Sequence, residues 1–318
     1  MKEVVGITII SFSDRFIRNT LSVVGFPLSL FQMISTTYQR NQYNPSGRMI
    51  EINQHNMHVN VSGEGSLTII LESGMGGCSL DWCHVQPELS ELATVISYDR
   101  AGFGWSNPSP SVPTCQQYLD DLRSLLATLD RKPPFLLVGH SYGGMIMRLF
   151  AATYPDEVMG LVLVDSTHEY RYLSDQIDPV RKNQRKKALQ LYRLGYLLAP
   201  IAIPRLMRMH IGSKRLSPEI LKKAQALGYR TSAYKSAYSE LLNIGESSIQ
   251  LLQAPQLSNN LPVIVLSAGR QPEDWIKEQK YLLHLTPLTT QIIVDDSWHA
   301  IQIHRPDVVI DAVKSLLN

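Results

Sequence analysis

The chain is 318 residues long, 44% hydrophobic and 18% charged, with a net charge of +2, enough to build a core for one large α/β domain with an inserted subdomain. Its three cysteines, Cys78, Cys83 and Cys115, form neither a disulfide framework nor a C-x-x-C pair, so a cross-linked scaffold is excluded and a reducing, cytoplasmic setting is expected. No metal-ligand cluster stands out, and neither a cofactor nor a nucleic-acid partner is expected. The charge is uneven, since residues 168–260 hold 15 Lys/Arg against 6 Asp/Glu, a local balance of +9.

From Asn19 to Gln39 the chain carries no charge, with Arg15 and Arg18 before the run and Arg40 after it, about the length that a spanning helix needs. Polar residues from Asn19 to Thr37 dilute the run and Pro27 interrupts it. Amphipathic helices lying on the protein or on a membrane surface fit best, ahead of a spanning helix and of a cleaved signal. Residues 1–48 are therefore set apart as a helical or membrane-associated extension.

Strand signals begin at Met49. Met49–Asn53 and Met57–Ser62 read as a hairpin, closed by Gly63-Glu64-Gly65. Leu67–Leu71 has the apolar pattern of a strand covered on both faces, and Ser73-Gly74-Met75-Gly76-Gly77 follows it. Asp81–Leu92 is expected to be a helix and Thr94–Tyr98 a strand. The next stretch, Asp99-Arg100-Ala101-Gly102-Phe103-Gly104-Trp105-Ser106, lacks the Lys-Ser/Thr ending and helix start of a phosphate cradle. Its glycines mark the fold, with Asp99 and Arg100 pinning the loop. Tyr118–Leu129 has the period of an amphipathic helix. Further strands are expected at Phe135–Val138, Leu161–Val164, Val263–Leu266 and Gln291–Val294.

Between Phe135–Val138 and the apolar helix at Met145–Phe150 lies Gly139-His140-Ser141-Tyr142-Gly143, a G-x-S-x-G match in a strand–turn–helix setting. A strand that becomes a helix at one residue forces that residue into a strained backbone region, and Gly139, Gly143 and Gly144 give it room. Ser141 then stands clear of the sheet at a helix N-terminus, where developing negative charge is favoured. Strands alternating with helices predict a mostly parallel sheet with helices on both faces.

The Ser-Gly-Met-Gly-Gly loop, the Asp-Arg-Ala-Gly-Phe-Gly-Trp-Ser loop, the Gly-His-Ser-Tyr-Gly-Gly turn and a histidine before the last helix occur in order. Together they make the chain resemble the serine-nucleophile branch of the α/β-hydrolases, esterase- or peptidase-like. The resemblance implies a core of residues 49–167 and 261–318 and a helical cap inserted at 168–260. It also implies His299 as the base of Ser141, ahead of His304. The family's usual acid follows the seventh strand, but that place holds Pro272, so Asp274 or Glu273 serves only if the loop is longer than usual. Asp165, at the end of the sixth strand, is the favoured acid, with Asp274 the alternative. The oxyanion hole implied is the N–H of Tyr142 and that of Met75.

Ala188–Leu198, Pro218–Leu227 and Tyr234–Leu242 are expected as cap helices, and their apolar content suits an apolar acyl or ring substituent. The basic run Arg181–Lys187 is either a solvated face or, with the N-terminus, a peripheral contact with an anionic membrane. The function implied is cofactor-independent cleavage of a small carboxylic ester through an acyl-enzyme, with amides or N-terminal peptides second. Ser141 argues against the epoxide or haloalkane chemistry of an Asp nucleophile. The alternative is a non-catalytic ligand-binding or sensor protein of the same fold.

Overall fold

Apolar runs alternating with amphipathic segments need cover on both sides, and a sheet between two helical layers supplies it. The computed structural model describes residues 6–173 and 179–317. It opens with helices α1 (Phe12–Val24) and α2 (Phe26–Gln42). Strands β1 (Arg48–Ile52), β2 (His55–Ser62) and β3 (Thr68–Glu72) follow. A 3₁₀ turn at Ser79–Trp82, short helix α3 (Gln86–Leu89), β4 (Thr94–Tyr98) and α4 (Cys115–Thr128) come next. Then come β5 (Phe135–His140), α5 (Tyr142–Thr153) and β6 (Val158–Val164). The insertion holds α6 (Pro179–Leu198), α7 (Ile203–Leu206), α8 (Pro218–Gly228) and α9 (Thr231–Gln253). The chain closes with β7 (Val263–Ala268), α10 (Glu273–Gln279), β8 (Thr289–Val294), α11 (Ile301–His304) and α12 (Pro306–Ser315).

The sheet has eight strands in the order β1-β2-β4-β3-β5-β6-β7-β8. The β1–β2 and β2–β4 pairs are antiparallel, and every later pair is parallel. Strands β3, β4 and β5 are buried along their whole length, as strands covered by helices on both faces must be. One face packs on α4, α5 and α9 through Leu122, Ile146 and Ile244; the other packs on α12 through Val309 and Val313. Each fully buried side chain of this size stabilises the fold by about 1.5–3 kcal/mol.

Two differences from the sequence reading have physical reasons. The helix expected at Asp81–Leu92 is broken into the 3₁₀ turn and α3, because Pro87 has no N–H to continue a helix and sits in the first turn of a new one. Helix α9 extends well beyond Tyr234–Leu242, and Leu241, Ile244 and Leu251 belong to the core cluster that also holds α4 and α5. The insertion is therefore rooted in the core through this one long helix.

Asp81 lies in the 3₁₀ turn and is 3% exposed. Burial pushes its carboxyl up to about 6 from an ordinary 3.8, against the opposing pull of Ser213 and Arg100. A folded value above the unfolded one means that the ionised form costs stability: the penalty is absent below the unfolded value and complete above the folded one. Relative to the native chain, Asp81→Asn should gain up to about 3 kcal/mol between pH 4 and pH 7, read from urea unfolding at the two pH values.

Candidate active site

Ser141 follows β5 directly and starts α5 with φ 51° and ψ −118°, a backbone region that costs a side-chain-bearing residue about 1–3 kcal/mol. Neighbours hold it there: Ser141 N–H donates to Val164 O and Thr167 N–H donates to Ser141 O, both at 3.1 Å. The flanking glycines are needed for close approach. A Cβ on Gly139 would fall 2.7 Å from Gly144 Cα, and one on Gly143 2.6 Å from the carbonyl oxygens of Glu72 and Ser73.

The loop after β8 brings His299 to this serine. His299 Nε2 lies 2.9 Å from Ser141 Oγ, and Nδ1 lies 2.7 Å from Asp165 Oδ2. Asp165 is wholly buried, whereas the His299 side chain is 39% exposed and open to a reactant. The carboxylate of Asp165 also accepts from Ala268 N–H at 3.1 Å, the Gln271 amide at 2.8 Å and the Trp275 indole N–H at 3.0 Å. Trp275 stands edge-on to the His299 ring, with centroids 4.9 Å apart. His140 is buried, and its Nε2 donates to the His299 carbonyl at 3.1 Å. Burial first, and then His299 close by, hold the His140 ring well below the usual histidine range, so it acts as a neutral donor that fixes the backbone of His299.

The other candidates face elsewhere. Asp274 on α10 pairs with Arg171 at 3.5 Å and Arg181 at 3.4 Å, Glu273 pairs with Lys277 at 2.8 Å, and His304 Nδ1 meets Ser297 Oγ at 3.3 Å. Of the three acids weighed, Asp165 touches His299, and the loop after β7 gives it donors, Gln271 and Trp275, in place of a carboxylate of its own.

The glycine-rich loop after β3 lies against the serine. A Cβ on Gly74 would fall 3.2 Å from Ser141 Cβ. Arg100 donates to Ser73 O at 2.6 Å and to Gly74 O at 2.7 Å, and Gly77 N–H also donates to Gly74 O at 3.0 Å. In a trans peptide the C=O and N–H point in opposite directions, so tying down the Gly74 carbonyl fixes the direction of Met75 N–H. Gly76 N–H donates to Glu240 Oε2 at 3.1 Å. Arg100 is itself buried between Glu72 at 2.5 Å and Glu240 at 3.0 Å. Tyr118 OH donates to Glu240 at 2.8 Å, and Tyr98 OH bonds to Glu72.

Asp99 pins the following loop as the sequence suggests, accepting from Ser79 N–H at 2.7 Å and Trp105 N–H at 2.8 Å and pairing with His58 at 2.8 Å. Burial alone would raise the Asp99 carboxyl, but the His58 contact and these N–H donors hold it below the usual carboxylate range. Sequence reasoning missed Glu72, Glu240, His140 and Trp275. The signal available for Glu240 was a carboxylate on a helix face otherwise made of Ala237, Leu241 and Ile244.

A sequence family described as alpha/beta hydrolase fold matches residues 68–306. The uncharacterised protein YqjL of Bacillus subtilis (strain 168) is 27% identical over 254 residues, 78% of this chain and 82% of that one. A thermophilic esterase from Thermogutta terrifontis superposes with a TM-score of 0.62 at 22% identity, covering 85% of this chain and 98% of its own. The enol-lactonase from Burkholderia xenovorans LB400 gives 0.63 at 19% identity, covering 85% and 99%. At these identities the likeness to the solved structures is one of fold.

The close approach at Gly143 has a measurable cost. Gly143→Ala should lower the unfolding free energy by about 2–3 kcal/mol in urea titrations, since the clash is with backbone that has no rotamer to change. Gly6→Ala, with nothing within 4 Å, should stay within about 0.5 kcal/mol of the native chain.

Proposed function

The chain belongs to the α/β-hydrolase fold family, and on that premise we propose that it is a serine hydrolase cleaving carboxylic esters through an acyl-enzyme. The observation that carries this reading is the continuous chain Ser141 Oγ–His299 Nε2 at 2.9 Å and His299 Nδ1–Asp165 Oδ2 at 2.7 Å, anchored on a strained turn.

In the proposed reaction His299 Nε2 takes the Ser141 proton as Oγ bonds to the ester carbonyl carbon, and the carbonyl π electrons move to oxygen. Asp165 holds Nδ1–H, fixing the tautomer and stabilising the imidazolium. The N–H groups of Tyr142 and Met75 receive the oxyanion, each worth about 2.7–4 kcal/mol at the transition state. As the tetrahedral centre collapses, the C–O bond breaks and His299 returns the proton to the leaving alkoxide. His299 then takes a proton from water as the water oxygen bonds to the acyl carbon, the C–Oγ bond breaks, and the ring returns the proton to Ser141 Oγ as the acid leaves. Arg100 acts behind Met75 as a positioning residue.

An apolar acyl or ring substituent is favoured by the rim of the site. Ile211 of the insertion comes within 3.1 Å of where a Gly76 side chain would start, in the glycine-rich loop that lies against Ser141. An amide or N-terminal peptide is the less favoured substrate.

Two measurements test the proposal. A fluorophosphonate probe should label the native chain at Ser141 and leave Ser141→Ala blank, and p-nitrophenyl esters of graded chain length should be turned over by the untreated native chain, not by Ser141→Ala or by the probe-treated protein. A folded native chain that neither labels nor hydrolyses would return the ligand-binding alternative. For the acid, Asp165→Asn should lower kcat by about 10⁴-fold, and Asp274→Asn should leave it within about twofold of the native value; the reverse result would reassign the acid.

A further inference from the structure

Helices α1 and α2 bury polar side chains and expose apolar ones. The buried residue of α1 is Asp14, and that of α2 is Gln32. Asp14 accepts from Arg193 at 2.6 Å and from Tyr238 OH at 3.3 Å. Gln32 donates to Tyr229 O at 2.7 Å and accepts from Arg205 at 2.8 Å. Outward stand Phe12, Phe16, Val24, Phe26, Met33 and Ile34, all between 57% and 79% exposed. A helix packed on a water-soluble protein shows the reverse pattern. Polar groups turned inward and apolar groups outward is the order of helices whose outer surroundings are hydrocarbon.

Length and bend say how such helices meet a bilayer. They have 13 and 17 residues, short of the roughly 20 a crossing requires, and they meet at an angle of 94°. No single helix among the described residues is long and apolar enough to cross a membrane. The elbow is seated on the insertion, since a Cβ on Gly25 would fall 2.7 Å from Ile201 Cγ2. The apolar face continues onto Leu206 and Met207, 56% and 64% exposed, which follow the Arg205 that also bonds Thr36 of α2 at 3.1 Å.

The charges on this surface are of one sign. Across residues 6–47 the only carboxylate, Asp14, is buried in its pair with Arg193, while Arg15 and Arg40 are exposed. Residues 199–216 contain no carboxylate and expose Arg208, Lys214 and Arg215.

We propose that α1, α2 and the Leu206–Met207 turn seat this protein on an anionic lipid bilayer, without spanning it. The apolar side chains enter the acyl boundary of one leaflet and the arginines meet headgroup phosphates. This surface is independent of the chemistry assigned to Ser141, so either proposal can fail alone.

Flotation of the full chain with phosphatidylcholine vesicles, with and without phosphatidylglycerol, tests it. The native chain should float with the anionic vesicles. Arg15→Gln with Arg40→Gln should weaken that partition roughly thirtyfold, and Phe12→Ser with Phe16→Ser should weaken it by at least about tenfold. All four positions are exposed, so thermal unfolding of these variants should match the native chain. In Phe26→Trp the introduced fluorophore should shift to the blue on binding and be quenched by brominated lipid. A folded native chain left at the bottom of the gradient with both vesicle types overturns the proposal. So does a lipid-independent dimer, seen by light scattering, that Phe12→Ser with Phe16→Ser disperses.

Discussion

A side-chain-bearing residue held at φ 51° between a strand and a helix is the constraint on which the candidate site depends. It dictates the glycines two residues to either side and lets the loop after β3 come into contact. Sheet register then supplies the partner. His140 is paired with Val164 across β5 and β6, so Ser141 and Asp165 are the next residues on neighbouring parallel strands, about 4.8 Å apart in the sheet. Asp165 also has a positive φ, 41°. Both strands turn sharply at the same C-terminal end of the sheet, and one imidazole bridges the gap that the turns open.

Behind that end of the sheet sits a buried charge cluster. Two carboxylates, Glu72 and Glu240, surround a single guanidinium, Arg100. Burial pushes the Glu72 carboxyl up against the opposing pull of Arg100, in the direction that relieves the excess negative charge. Such a cluster adds little net stability against an apolar alternative, yet breaking one member is costly. Its effect here is directional: the guanidinium takes the carbonyls of Ser73 and Gly74, and the peptide that follows has one orientation left.

Much of this architecture was legible in the chain. Strand positions followed from apolar runs because strands covered on both faces tolerate little else, and the elbow was readable because few residues other than glycine fit at 139 and 143. The break in the helix expected at Asp81–Leu92 is harder to see, because Trp82, Val85, Leu89 and Leu92 keep a helical spacing on both sides of Pro87. Ser141 was legible as the serine of a strand–turn–helix motif, and His299 and Asp165 were legible through the resemblance to the α/β-hydrolases, which marks a histidine before the last helix and an acid at a strand end. The donors that hold Asp165, from Gln271 and Trp275, were not, because contacts more than 100 residues apart leave no local period. The inward polar face of α2 was equally hidden: a run diluted by Gln32, Thr36 and Gln39 reads as poorly apolar until it is known which side those residues face.

Glu240 belongs to α9, yet one of its oxygens holds Gly76 and the other holds Arg100 and Tyr118. The long helix of the insertion is thus clamped by charge to the very loop that faces the serine. Swinging it away like a hinged lid would strip a buried guanidinium of one counter-ion and release the Gly76 backbone together. If Ser141 is the nucleophile proposed, its reactants reach it around this helix rather than by its removal.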